Sequence, residues 1–151
     1  MKPYAARMKV RFSEIDRAGI VYYPRFFHYV HVAFEEFFSD RVGMDYHVLI
    51  DEGRVGFPTV HAECDYRTPL QYGDVLDVGV SVLRIGRTSV TFLYRLRNRT
   101  RRRLAAEARI TVVCVDMDAF RPRRIPARIR RVFERHRAAG PVSLGAKRRI
   151  G

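Results

Sequence analysis

Hydrophobic and polar positions change period several times along the chain. Met8, Val10 and Phe12 alternate with Arg7, Lys9 and Arg11, the period of two that marks a half-buried strand. From Pro24 to Gly43 the pattern predicts a helix. Pro24 suits the first helical position, because its missing N–H would lack an intrahelical partner in any case. Phe26, Phe27, Tyr29, Val30, Val32, Ala33, Phe34, Phe37 and Phe38 fall on almost every azimuth of that helix, which predicts no broad polar face. Asp45 to Glu52 reads as a short second helix, and Gly53, Gly56 and Pro58 as a loop. Strands return over Thr59 to Arg67, Leu76 to Ile85, Thr88 to Arg97 and Leu104 to Val115. In the second, Leu76, Val78, Val80 and Val82 share a face; in the third, Val90, Phe92, Tyr94 and Leu96; in the fourth, Ala106, Ala108, Ile110, Val112 and Cys114. Pro69, Gly73 and Asp74 make a turn, Gly86 a hairpin, and Asn98 to Arg103 a basic turn. After Pro122 and Pro126 helical character runs over Ala127 to Arg137. Residues 1–139 read as one domain and residues 140–151 as a flexible C-terminal tail.

Strand, apolar helix, then four strands predicts an α+β domain with an antiparallel sheet of about five strands. A single sheet curled round the helix covers one side of it. The remainder asks for another surface, and a homodimer supplies one. The helix is too short, and too interrupted by His28, His31, Glu35 and Glu36, to span a membrane.

Composition changes this picture little. At 151 residues, 47% hydrophobic and 30% charged, the chain is an ordinary globular protein without low-complexity tracts. The N-terminus lacks the apolar segment and cleavage site of a secretory signal, so the cytoplasm is the expected compartment. Cys64 and Cys114 stand alone in strand-like runs, which reads as two reduced thiols and no metal site. Charge matters more. The net +13 is mostly arginine, clustered at Arg95 to Arg103 and Arg121 to Arg137, and it fits either a solvated basic face or an anionic ligand. No nucleic-acid motif is visible, and the basic runs lack the aromatic interleaving of a base-stacking platform. Nucleic acid is therefore not the expected partner.

Taken by itself, Asp16 in an Asp-Arg-Ala-Gly segment is a turn former. The wider stretch SEIDRAGIVYYPRFFHYVHVAFEEFF, with GFPTVHAECDYRTPLQYGDVL after it and VVCVDMDAFRPRRIP later, resembles the hotdog-fold acyl-CoA thioesterases, and the 4-hydroxybenzoyl-CoA thioesterase group in particular. The resemblance runs from about Met8 to Ile125. It implies a hotdog fold, a sheet wrapped around a long central helix, with an acyl-CoA substrate and no cofactor beyond the coenzyme A of that substrate. It also implies a homodimer that assembles into a homotetramer. Asp16 takes the position of the catalytic carboxylate, either as general base for water or as nucleophile; the two routes stay open. The Tyr23 backbone amide takes the role of oxyanion donor at a helix start, and Gly19 permits close approach of chain and substrate.

Tyr23, where other branches carry His, leans towards aryl substrates. His31 stands where the family carries an acidic residue that meets a ring hydroxyl. That departure leaves benzoyl, phenylacetyl-like and medium acyl groups open. Arg87, Thr88 and Ser89 match a hairpin that holds the nucleotide, and Arg121, Arg123 and Arg124 are further candidates from a neighbouring subunit, since guanidinium suits phosphate. Glu35 or Glu36 as a second carboxylate, and His61 as a dehydratase-like histidine, are weaker readings. The alternative in a different class is a non-catalytic basic hotdog module that binds acyl carrier protein or nucleic acid.

Overall fold

The first strand begins earlier than its apolar pattern predicts. In the computed structural model, which describes residues 2–139, β1 spans Tyr4–Lys9 with Tyr4 and Ala6 buried. Its partner strand starts at Val75, so the register ends at Lys9 opposite Val75. The Val10 N–H takes the Asp74 carbonyl at 2.9 Å, and the chain then tightens into a 3-10 turn over Phe12–Glu14. Phe12, expected on the buried face, is instead 76% exposed. Alternation continued in the sequence after the pairing partner had run out.

The predicted helix forms as α1 (Arg25–Phe37) with Pro24 as its N-cap. It runs on as a π-helical turn, Phe38–Val42, and Gly43 closes it in the left-handed conformation at φ 77°, where a residue without Cβ is least strained. The expectation of a helix apolar all round is corrected. Phe26, Tyr29, Val30, Ala33, Phe34 and Phe37 are buried, but Arg25, His28, His31, Glu35 and Glu36 form an exposed strip, with Phe27 and Val32 half-buried beside it. Those polar residues recur at helical spacing, so the helix is amphipathic. Counting apolar azimuths gave the flanking Phe27 and Val32 the weight of core positions.

A short α2 (Tyr46–Asp51) and a two-residue β2 (Val55–Gly56) lead into β3 (Thr59–Tyr66). The meander follows as β4 (Val75–Ile85), β5 (Ser89–Asn98) and β6 (Arg103–Val113), and then β7 (Val115–Asp116), β8 (Arg121–Pro122) and α3 (Ala127–Arg135). The main sheet has five strands in the order β1-β4-β5-β6-β3, antiparallel throughout. Inward residues agree with the alternation in the sequence: Leu76, Val78, Phe92, Leu96, Ala106, Ala108 and Cys114 are fully buried. A small second sheet, β2-β7-β8, was not expected, because strands of two residues carry no period to read.

The apolar face of α1 lies on this sheet, and its C-terminal end is sealed by rings. Phe38 meets Phe34, Tyr46 and Phe57 at 4.8, 5.2 and 5.8 Å between centroids, and Phe92 meets Phe133 of α3 at 5.3 Å. Such edge-on and tilted contacts add to the area these rings bury. The other edge of the sheet is bare. Every residue of β3 is exposed except Cys64, which is half-buried, and among the described residues its outer backbone edge has no neighbouring strand. The tail at residues 140–151 lies outside the described residues.

Candidate active site

Between the 3-10 turn and α1 the chain makes one tight reversal, and Asp16 stands at its start. Ile15 pairs with Val21. The Asp16 N–H donates to the Ile20 carbonyl at 2.9 Å, and the Gly19 N–H returns to the Asp16 carbonyl at 3.0 Å. Gly19 has φ 78°, which explains the glycine by conformation. The Ala18 N–H donates to Asp16 Oδ1 at 2.8 Å. One carboxylate oxygen of Asp16 thus orders the loop, as a turn former does, and among the described residues no hydrogen bond engages Oδ2. The carboxylate is exposed. The Val21 N–H donates to the Leu70 carbonyl at 2.8 Å and Ile20 pairs with Gln71, so the β3–β4 connection holds the reversal in place.

Tyr23 follows as the last residue before the helix cap. The Tyr22 N–H donates to the Glu14 carbonyl at 3.0 Å, the Arg25 N–H to the Tyr22 carbonyl at 2.9 Å, and the Phe26 N–H to the Tyr23 carbonyl at 3.2 Å. A second donor reaches that last carbonyl, the Tyr66 hydroxyl, at 3.0 Å. Among the described residues the Tyr23 N–H alone in this group has no acceptor. It sits at the positive end of α1, where an anion is stabilised by the dipole and by free amides. Tyr66, on the bare strand β3, was not singled out in the sequence. Its ring packs edge-on against Phe26 at 4.9 Å and Tyr23 at 6.3 Å. Burial, with the neighbouring Cys64, pushes its hydroxyl up to about 12, so it remains a donor at neutral pH.

One turn along the helix a cavity of about 430 Å³ opens between α1 and the β3–β6 side of the sheet. Phe27, Val30, His31 and Phe34 line it from the helix, Thr59, Ala62, Ile110 and Val112 from the sheet, and Tyr46, Phe57, Pro58 and Tyr94 close it. The volume and the apolar wall are those of a small-ligand site. His31 is one of its few polar linings, and its Nε2 lies 3.2 Å from Glu35 Oε1. The cavity itself had no signature in the sequence beyond the apolar helix.

Other candidates lie elsewhere. Arg87, Thr88 and Ser89 form the β4–β5 hairpin, with the Arg87 carbonyl accepting from Ile125 and the Thr88 carbonyl from Cys114. Since β4 starts beside the Asp16 reversal and runs 11 residues to that hairpin, roughly 35 Å of strand separates them within one protomer. Arg121, Arg123 and Arg124 are exposed at the same far end, beside Cys114. His61 is exposed on β3, its Nε2 3.9 Å from Glu63. His28 and Glu36 are exposed on α1. No helix among the described residues is long and apolar enough to cross a membrane.

Comparison with known proteins then decides the family. The sequence model of the thioesterase-like superfamily matches residues 10–133. The chain belongs to the thioesterase-like superfamily. It is similar to the 1,4-dihydroxy-2-naphthoyl-CoA hydrolase of Picosynechococcus sp., at 37% identity over 75 residues, about half of this chain (50%) and of that protein (51%). The enzyme of the same name from Synechococcus elongatus is 33% identical over 97 residues, 64% of this chain and 71% of that one. Among solved structures, a gentisyl-coenzyme A thioesterase superposes with TM-score 0.76 at 25% identity, covering 84% of this chain and 99% of the other. The hotdog arrangement expected from the motif is the one found, and the chain is an enzyme of the thioester hydrolase class.

Proposed function

We propose that this thioesterase hydrolyses an aryl-CoA to the free acid and coenzyme A. The observation that carries the reading is the meeting, at one end of α1, of an exposed Asp16 carboxylate, an amide without an acceptor at Tyr23 and an aromatic-lined cavity one turn further on. The acyl group enters the cavity, its thioester carbonyl faces the Tyr23 N–H, and the developing oxyanion is stabilised there. Asp16 either takes a proton from the attacking water or attacks the carbonyl itself and is released by water. His31, oriented by Glu35, offers a polar contact at the helix wall of the cavity, which suits a ring bearing a hydroxyl. The names of the relatives, dihydroxynaphthoyl and gentisyl thioester hydrolases, support that acyl class.

A homodimer fits the same reading. Pairing two β3 edges about a two-fold axis turns the second copy end for end. That brings its hairpin, with Arg87, Thr88 and Ser89, to the end at which this protomer keeps Asp16 and Tyr23, about three strand spacings or roughly 14 Å away across the sheet. The basic hairpin then serves the coenzyme A phosphates. Pairs of dimers as a homotetramer, and a cytoplasmic setting for coenzyme A chemistry and free thiols, complete the proposal. The test is a panel of aryl- and alkyl-CoAs, with released thiol followed and kcat/KM compared, since that ratio defines specificity. Hydroxyaryl-CoAs are expected to lead. Failure of every thioester would favour the binding-module alternative, and a monomer in sedimentation at micromolar concentration would remove the paired-edge dimer.

A further inference from the structure

We infer that Glu14 and Tyr66 are positioning residues that clamp the Tyr23 amide from its two sides; this rests on the amide's role in the function proposed above. The Tyr23 N–H belongs to the peptide unit whose carbonyl is that of Tyr22, and that carbonyl is held by the Arg25 N–H at 2.9 Å. Each flanking peptide unit is tied to a different part of the fold. On one side the Tyr22 N–H donates to the Glu14 carbonyl at 3.0 Å. On the other the Tyr23 carbonyl accepts from the Tyr66 hydroxyl at 3.0 Å. Two ties on either side of a planar unit leave it little freedom to rotate, and a donor aimed in advance costs no reorganisation when the oxyanion forms.

Glu14 earns particular notice because it is a buried carboxylate, only 9% exposed. Its Oε1 accepts from the Arg11 N–H at 2.7 Å and from the Tyr29 hydroxyl of α1 at 2.9 Å. Burying a charged group is costly, and an ion buried with partners is weak evidence of a stabilising role. What this carboxylate achieves is geometric: it joins the 3-10 turn to the second turn of α1, and so fixes the backbone carbonyl that receives Tyr22. Tyr66 does the same from β3, joining the helix start to the free edge of the sheet. Neither side chain needs to touch substrate.

The test compares Tyr66→Phe, Glu14→Gln and Glu14→Ala with Asp16→Asn, on the best thioester of the panel, recording kcat, KM and Tm for each. Tyr66→Phe keeps the ring contacts and loses the tie; kcat is expected to fall about tenfold, with KM within about twofold and Tm unchanged. Glu14→Gln keeps an acceptor oxygen for Arg11 and Tyr29 and should retain most of kcat, whereas Glu14→Ala should lose at least as much as Tyr66→Phe. Should Glu14→Ala not fold, Tyr66→Phe still decides. Unchanged kcat in Tyr66→Phe beside an inactive Asp16→Asn overturns the clamp and leaves the catalytic reading standing. A loss that appears only in KM, or only in step with Tm, overturns it as well. If Asp16→Asn also hydrolyses normally, the site reading fails and the clamp falls with it.

Discussion

At its C-terminal end α1 passes from Phe37 into a π-helical turn that begins at Phe38, both rings fully buried; Tyr4 donates to Asp40 at 2.9 Å, and Gly43 returns its N–H to the Phe38 carbonyl at 2.9 Å. At the N-terminal end, Tyr22 and Tyr23 are 49% and 64% exposed, and an amide is left without an acceptor among the described residues. Both ends close with a left-handed glycine nearby, Gly19 and Gly43. One end fills its volume with rings, while the other keeps polar groups available. On the function proposed above, the chemistry belongs to the open end and the packing to the sealed one, and substitutions at the two ends should separate into different measurements.

Asp16→Asn should have the largest effect, lowering kcat by about 10²–10⁴-fold. Its Tm should stay close to that of the parent, because an asparagine side chain still accepts from the Ala18 N–H. A fall of Tm in parallel would break the contrast between the ends. Phe38→Ala at the sealed end should cost about 3–5 kcal/mol of stability through the cavity it leaves. Denaturant unfolding would read this, and kcat of the folded fraction should hold.

Gly19→Ala and Gly43→Ala sharpen the comparison, since each forces a Cβ into positive φ at about 1–2 kcal/mol. Among the described residues, its chain neighbours aside, no atom lies within 4 Å of a Cβ built at Gly19, and Arg128 lies at 3.7 Å from one at Gly43, so backbone strain rather than collision sets both costs. Gly19→Ala should lower kcat as well as Tm, and Gly43→Ala should lower Tm alone.

The smallest effect concerns the two thiols, Cys64 by the open edge and Cys114 under the hairpin. Burial pushes both up to about 11, so the reactive thiolate is scarce below that value and grows about tenfold per pH unit towards it. Alkylation of both should be slow at pH 8 and accelerate by pH 10, leaving a thiol assay for coenzyme A undisturbed. Rapid labelling of Cys64 at pH 7 would show that the open end is looser than its geometry implies.

Much of this arrangement was legible in the chain. The meander β4–β5–β6 has a clean period of two over long runs, with Gly86 and the basic turn between them, and the structure follows it closely. Asp16 stands out as a candidate through its motif rather than its chemistry, because a lone aspartate in a turn carries no mark of catalysis. Phe12 and the polar strip of α1 were misread for one reason: local periodicity cannot tell where a partner strand stops or how wide a face the sheet covers. Tyr66 and Glu14 could not be found at all, since each acts through a hydrogen bond to a residue distant in sequence or to a backbone carbonyl.

By itself the sequence determined the elements and the motif, because hydrophobic period, turn residues and helix caps act over neighbouring positions. Tertiary structure alone decided that one helix end would be packed and the other open, that a cavity would form a turn below Tyr23, and that the β4–β5 hairpin would stand a full strand length from Asp16. Those outcomes depend on sheet order and register, which bring residues far apart in the chain to one end of a helix or keep them away from it.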